Sequence, residues 1–171
     1  MGNLPAFKGE GTTMHHATIR RAGIALALSL AAATAAHAEA PPKQTLMPEH
    51  PEARAFQEMA GFSDAVVHGD TIHLSGVVAG PAPGEDSLQP GYERAFARLD
   101  AIIRRLGATW DDVLVFDTFH KGPVAAQVEA LLPVKNRYIK APFPTWTAVG
   151  VSDLYSADAV TEIKLVLRRP K

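Results

Sequence analysis

The sequence predicts an α+β domain: one β-sheet with two helices packed on one of its faces. Three observations lead there. Strand-like and helical segments follow one another as strand, strand, helix, strand, helix, strand, strand, an order that suits a layered sheet. In GYERAFARLDAIIRRLG the apolar residues Tyr92, Phe96, Leu99, Ile103 and Leu106 recur at helical spacing, while Arg94, Arg98, Asp100, Arg104 and Arg105 take the other side. The strand-like segments also supply apolar residues to both faces of the sheet. Two helices cover only one of those faces, so burial of the second against other copies of the chain is expected.

The chain of 171 residues opens on a segment expected to be lost. MHHATIRRAGIALALSLAAATAAHAEA has a basic start at Arg20 and Arg21, an apolar run from Ala22 to Ala36, and small residues at Ala36 and Ala38. That succession is a secretory signal, with cleavage expected after Ala38. Residues 1–38 are thus read as a leader, 39–61 as an N-terminal extension and 62–171 as the domain, with Met14 an alternative start. The arginine pair is read as an ordinary basic start rather than a twin-arginine signal. The apolar run is short and alanine-rich for a membrane span, so a periplasmic or secreted product with no membrane attachment is expected. Without cysteine there is no disulfide, no thiolate nucleophile and no Cys-based metal site. A net charge of −1 gives no reason to expect a nucleic-acid partner.

After a proline-rich tether, Pro51 to about Ala60 reads as a short helix, with Pro51 in its first turn and Gly61 past its end. FSDAVVHGDTIHLSGVV reads as two strands joined at Gly69-Asp70, placing Val67 opposite Ile72 and His68 opposite Thr71. AGPAPGEDSLQPG is a loop. The long helix ends at Gly107, and a strand runs between Asp111-Asp112 and Lys121-Gly122. PVAAQVEALLPVKNRYI is helical in composition, but Pro133 is expected to break it or to start a new helix. TWTAVGVSDL and AVTEIKLVLRR close the chain as strands.

Several residues could bear chemistry. In PFPTWTAVGV, strand alternation puts Trp146, Ala148 and Gly150 on one face, so a large flat ring stands beside two residues that leave space. That is either core packing or the wall of a pocket. Glu162 and Lys164 share a face opposite Ile163 and Leu165, which places a carboxylate on a sheet face and calls for a partner or a purpose. His68 and His73 sit diagonally on one face of the hairpin without an evident third ligand, so no metal site is expected. Asp117 and His120 lie on opposite faces of their strand, which excludes a simple dyad.

Taken together, FSDAVVHGDTIHLSG, RRLGATWDDVLVFDTF, TAVGVSDL and VTEIKLVLRR resemble the motifs of the reactive-intermediate deaminase family, Rid or RidA/YjgF, from about Phe62 to Arg169. The resemblance implies a chorismate-mutase-like fold (YjgF-type), a mixed sheet with two helices on one face, assembling as a trimeric barrel. It also implies a homotrimer with clefts between subunits that hydrolyses enamines and imines to ammonia and a 2-oxo acid, without metal or cofactor. Such members hold the substrate carboxylate with an arginine, and Trp146 occupies that position here. An indole offers one N–H donor where a guanidinium offers a charge and a fork of five.

Glu162 matches the carboxylate that positions the hydrolytic water; a salt bridge across the subunit seam is its alternative. Phe62 and Ser75 fall in motifs that border the cleft, and Ala148 follows Trp146 on the same face. Lys135 and Arg137 either replace the missing cation from a neighbouring subunit or lie on a solvated helix face. Three functions stay open: a divergent exported hydrolase of imines, enamines or related small C–N compounds; a non-catalytic trimer binding a small metabolite; and a structural or protein-interaction trimer.

Overall fold

The computed structural model describes residues 42–171, so the expected leader and its cleavage point lie outside the described residues. A short edge strand, β1 (Gln44–Leu46), leads into helix α1 (Pro51–Ala60). The hairpin follows as β2 (Ala65–His68) and β3 (Thr71–Leu74), and after a bend at Ser75-Gly76 the same segment resumes as β4 (Val77–Ala79). Helix α2 (Gln89–Arg105), a 3₁₀ turn at Trp110–Asp112, β5 (Val113–Lys121), α3 (Val124–Tyr138), β6 (Thr145–Val151) and β7 (Thr161–Arg168) complete the order. The strands form one mixed sheet, ordered β1-β2-β3-β7-β5-β6, in which β4 continues the β3 edge of β7. Only β5 and β6 run parallel, as the α3 crossover between them requires.

The hairpin register matches the sequence expectation, with Val67 opposite Ile72 and His68 opposite Thr71. Both helix bounds of α1 match it as well, and Gly61 ends that helix in a left-handed conformation at φ 76°. Two points differ. β1 was expected to be part of a tether, yet it pairs antiparallel with β2. Most instructively, α3 runs straight through Pro133. A proline there removes the hydrogen bond to the Glu129 carbonyl, but Pro133 and Glu129 both face solvent, where water takes the bond's place. Leu131, Val134 and Lys135 on the opposite side are buried and hold the helix together across the gap.

One face of the sheet is the core. Ile163, Leu165 and Leu167 of β7, Phe116 of β5, and Ile72 and Leu74 of β3 lie with Tyr92, Phe96, Leu99 and Ile103 of α2, all fully buried. Burying a side chain of this size contributes roughly 1.5–3 kcal/mol. The other face carries Glu162, Lys164, Val166 and Arg168 from β7, with Val78 and Phe119 beside Glu162. On it Val78, Leu114 and Val149 are about two-fifths to one-half exposed, as expected of a face awaiting cover. No described helix is long and apolar enough to cross a membrane.

Candidate functional site

Glu162 stands at the β4 end of the open face, directly opposite Val78 on one neighbouring strand and Phe119 on the other. Its carboxylate lies against the Ser75-Gly76 bend, so closely that a Cβ at residue 76 would coincide with it. Gly76 is therefore glycine because another side chain occupies the space a methyl would need. Around this carboxylate is an open cavity of about 480 Å³. Phe56 and Ala60 of α1, Phe62 just beyond it, Val78, and Tyr155 and Ser156 of the β6–β7 loop form the rest of its wall. Phe56 and Phe62 meet edge to face with ring centroids 6.0 Å apart.

The polar groups of this cavity are few. Glu162 makes no hydrogen bond or ion pair with any described residue, so both of its oxygens are available as acceptors. Ser75 is already engaged: its hydroxyl donates to the Ser63 carbonyl at 2.6 Å, which ties the bend to the start of the hairpin. Its proton is directed at that carbonyl and not at Glu162, so no hydrogen bond to a base activates it as a nucleophile.

The other expected site residues fall elsewhere. β5 pairs Phe116 with both Trp146 and Leu165, so Trp146 points to the helix-covered face, opposite to Glu162. There its ring meets Phe116 edge-on at 5.6 Å and its N–H donates to the Thr118 hydroxyl at 3.1 Å. Lys135 lies over the same indole, its ammonium 4.8 Å from the ring centroid, buried and with no hydrogen-bond or ion-pair partner among the described residues. Burial pulls the Lys135 pKa below the ordinary lysine range. Arg137 turns away to Glu93 at 2.9 Å. Ala148 is exposed on the edge strand, and Gly150 is matched to α3, whose Val124 packs against its backbone. Within one chain, then, Phe62, Ser75 and Glu162 come together, while Trp146 and Lys135 form a separate pair on the far side of the sheet.

Thr118 links that pair to a buried polar chain. The Gln127 amide donates to the Lys121 carbonyl at 2.7 Å, which turns its oxygen toward His120 Nδ1 at 3.0 Å. An amide oxygen only accepts, so Nδ1 carries the proton and Nε2 accepts from the Thr118 hydroxyl at 2.9 Å. Thr161 and Tyr92 extend the chain into α2. Although His120 lies near the end of β5, it is fully buried, with Gln127 of α3 against it. Burial holds its pKa below the ordinary histidine value. The unfolded chain takes up a proton near pH 6.5 while the folded one does not, so stability is lost as pH falls below that point. The urea midpoint should drop more between about pH 7.5 and 5.5 in the natural protein than in His120→Asn. Equal drops would mean that His120 titrates alike in both states.

His68 and His73 are exposed on one face as their alternation required, and among the described residues no three potential ligands gather around a metal-sized space. Asp117 and His120 indeed occupy opposite faces of β5.

The family described as Endoribonuclease L-PSP matches residues 52–168, most of the described chain. The chain belongs to the RidA/YjgF family. It is 37% identical over 113 residues to the RutC family protein YjgH of Escherichia coli, covering 64% of this chain and 84% of that protein. A protein of Dermatophagoides farinae named 2-iminobutanoate/2-iminopropanoate deaminase is 28% identical over 110 residues, covering 58% of this chain and 80% of its own length. A solved structure of protein YJGH superposes with a TM-score of 0.62 at 31% identity, covering 75% of this chain and 98% of that one. The fold of RidA/YjgF proteins is thus that of this chain. Sequence reasoning left out Phe56, Gly76, Val78 and Tyr155. Gly76 was visible as the end of Leu-Ser-Gly, but the other three reach the pocket only through tertiary packing.

Proposed function

We propose that this RidA/YjgF protein hydrolyses small imines or enamines at the Glu162 pocket. The observation behind this is an unpaired carboxylate set among aromatic and aliphatic walls, at the position the family resemblance gives to the water-positioning group. In the imine form, water adds to the carbon of C=N while Glu162 accepts its proton. The same carboxyl returns that proton to nitrogen, giving a carbinolamine, then takes the hydroxyl proton and passes it to the amino group as the C–N bond breaks, so that a carbonyl compound and ammonia leave. The deaminase name of the Dermatophagoides farinae relative supports the same reaction class. A phosphodiester suits the pocket poorly, since its one charged lining group is negative. Ammonia release measured over a panel of imines and enamines, generated in place and competed with semicarbazide, tests the reading; no release from any member rejects it.

Trp146 at the arginine position favours a second reading, a trimer that binds a metabolite without turning it over, and binding without ammonia release would identify it. Of the two cations offered as substitutes, Arg137 is committed to Glu93, which leaves Lys135. Lys135 packs on Trp146, on the opposite face from Glu162, and so does not reach the pocket of its own chain. The exposed apolar residues of the open face fit closure by two further copies. Light scattering at micromolar concentration should give the mass of a trimer; a monodisperse monomer would contradict shared clefts. Export is part of the proposal, and N-terminal sequencing of protein from its own host should begin just after Ala38.

A further inference from the structure

The geometry points to a ligand class for the Glu162 pocket: a small organic cation, an amine or iminium on an aromatic or bulky apolar body, with no carboxylate of its own. This rests on reading that pocket as the reactive site and adds what the site selects.

Charge is the first argument. Among the described residues Glu162 is the one charged group on the pocket lining, and no lysine, arginine or histidine of theirs pairs with it. Two carboxylate oxygens to which no described side chain donates form a surface that asks for N–H groups from the ligand. The Ser75 hydroxyl has spent its proton on Ser63, so what it presents to the cavity is again acceptor capacity. A ligand carboxylate would find repulsion from Glu162 and, among the lining side chains, only the neutral hydroxyls of Tyr155 and Ser156 to offset it.

The walls agree in sign. Phe56 and Phe62, set edge to face, make an aromatic corner, and Tyr155 lines the same pocket. Ring faces carry partial negative charge and attract cations, so aromatic and carboxylate groups favour the same ligand. Size is the third argument. About 480 Å³ is far more than ammonium or a two-carbon imine fills, and lies within the roughly 300–1,000 Å³ range of pockets that enclose whole small molecules. Phe56 comes from α1, so the part of the wall that accommodates the bulky body is built by the helix preceding the sheet's first hairpin.

The test is calorimetric binding to the full chain with three probes: benzylammonium, phenylacetate and methylammonium. Benzylammonium should bind at least about tenfold more tightly than phenylacetate, which shares its ring but reverses its charge, and more tightly than methylammonium, which shares its charge but lacks the ring. These comparisons need no variant. Glu162→Gln should then bring benzylammonium and phenylacetate to similar affinity, and Phe56→Ala should narrow the gap between the two amines, with melts confirming that each variant folds. Phenylacetate binding as tightly as benzylammonium would overturn the proposal and point to a cation from a second copy, Lys135 first. So would an absence of benzylammonium binding, or a preference that survives Glu162→Gln. Loss of hydrolysis with the cation preference intact would instead reject the enzymatic reading alone.

Discussion

Trp146→Arg should destabilise the fold by about 3 kcal/mol, read as a lower urea midpoint at unchanged slope. The arginine would be placed beneath Lys135, where the indole now lies 4.8 Å from the ammonium. Two cations at about that distance repel by roughly 3 kcal/mol at an effective dielectric of 20. The substitution also removes the edge-on contact with Phe116 and the hydrogen bond to Thr118. Adding Lys135→Met should recover much of the loss, since it removes the repulsion and leaves the helix position apolar. An unchanged midpoint in the single variant would place residue 146 at the solvent surface and overturn the described packing.

Glu162→Gln should reduce ammonia release by about 10²–10⁴-fold while leaving the melting temperature close to that of the natural protein. An amide keeps the shape that fits over Gly76 but cannot take the proton of an attacking water. Because the effect lies on the chemical step, it should appear in kcat, with KM much less affected for a neutral imine. Ser75→Ala should disturb the bend, through the lost bond to Ser63, more than the chemistry. Full activity in Glu162→Gln would remove this carboxylate from the mechanism.

Alternation and helical periodicity revealed most of the fold from the residues alone. The Gly69-Asp70 turn set the hairpin register, and the face assignment of β7 was correct down to the pairing of Glu162 with Lys164. Pro133 misled because a local rule about backbone donors does not know which side of a helix will be wet. β1 was hidden by brevity: three residues near prolines carry no period, and only pairing with β2 makes them a strand. Alternation also placed Trp146, Ala148 and Gly150 on one face. It could not say that this was the face α3 covers, which depends on the crossover; within one chain the indole and Glu162 therefore lie on opposite faces of the sheet. The pocket's aromatic corner needed α1 to fold back beside the bend, a tertiary event with no short-range signature.

The position of β6 at the end of the sheet has a bearing on protein homeostasis. Thr145–Val151 is paired with β5 on one side, and on the other its backbone N–H and C=O groups meet no strand among the described residues. TWTAVGV has high strand preference, no charge and no proline, the composition that lets identical segments stack. While a copy of the chain is alone, after synthesis or at high dilution, this edge is a template for unwanted growth. Pro142 and Pro144 before it and Asp153 after it act as gatekeepers, limiting how far a misplaced strand could extend.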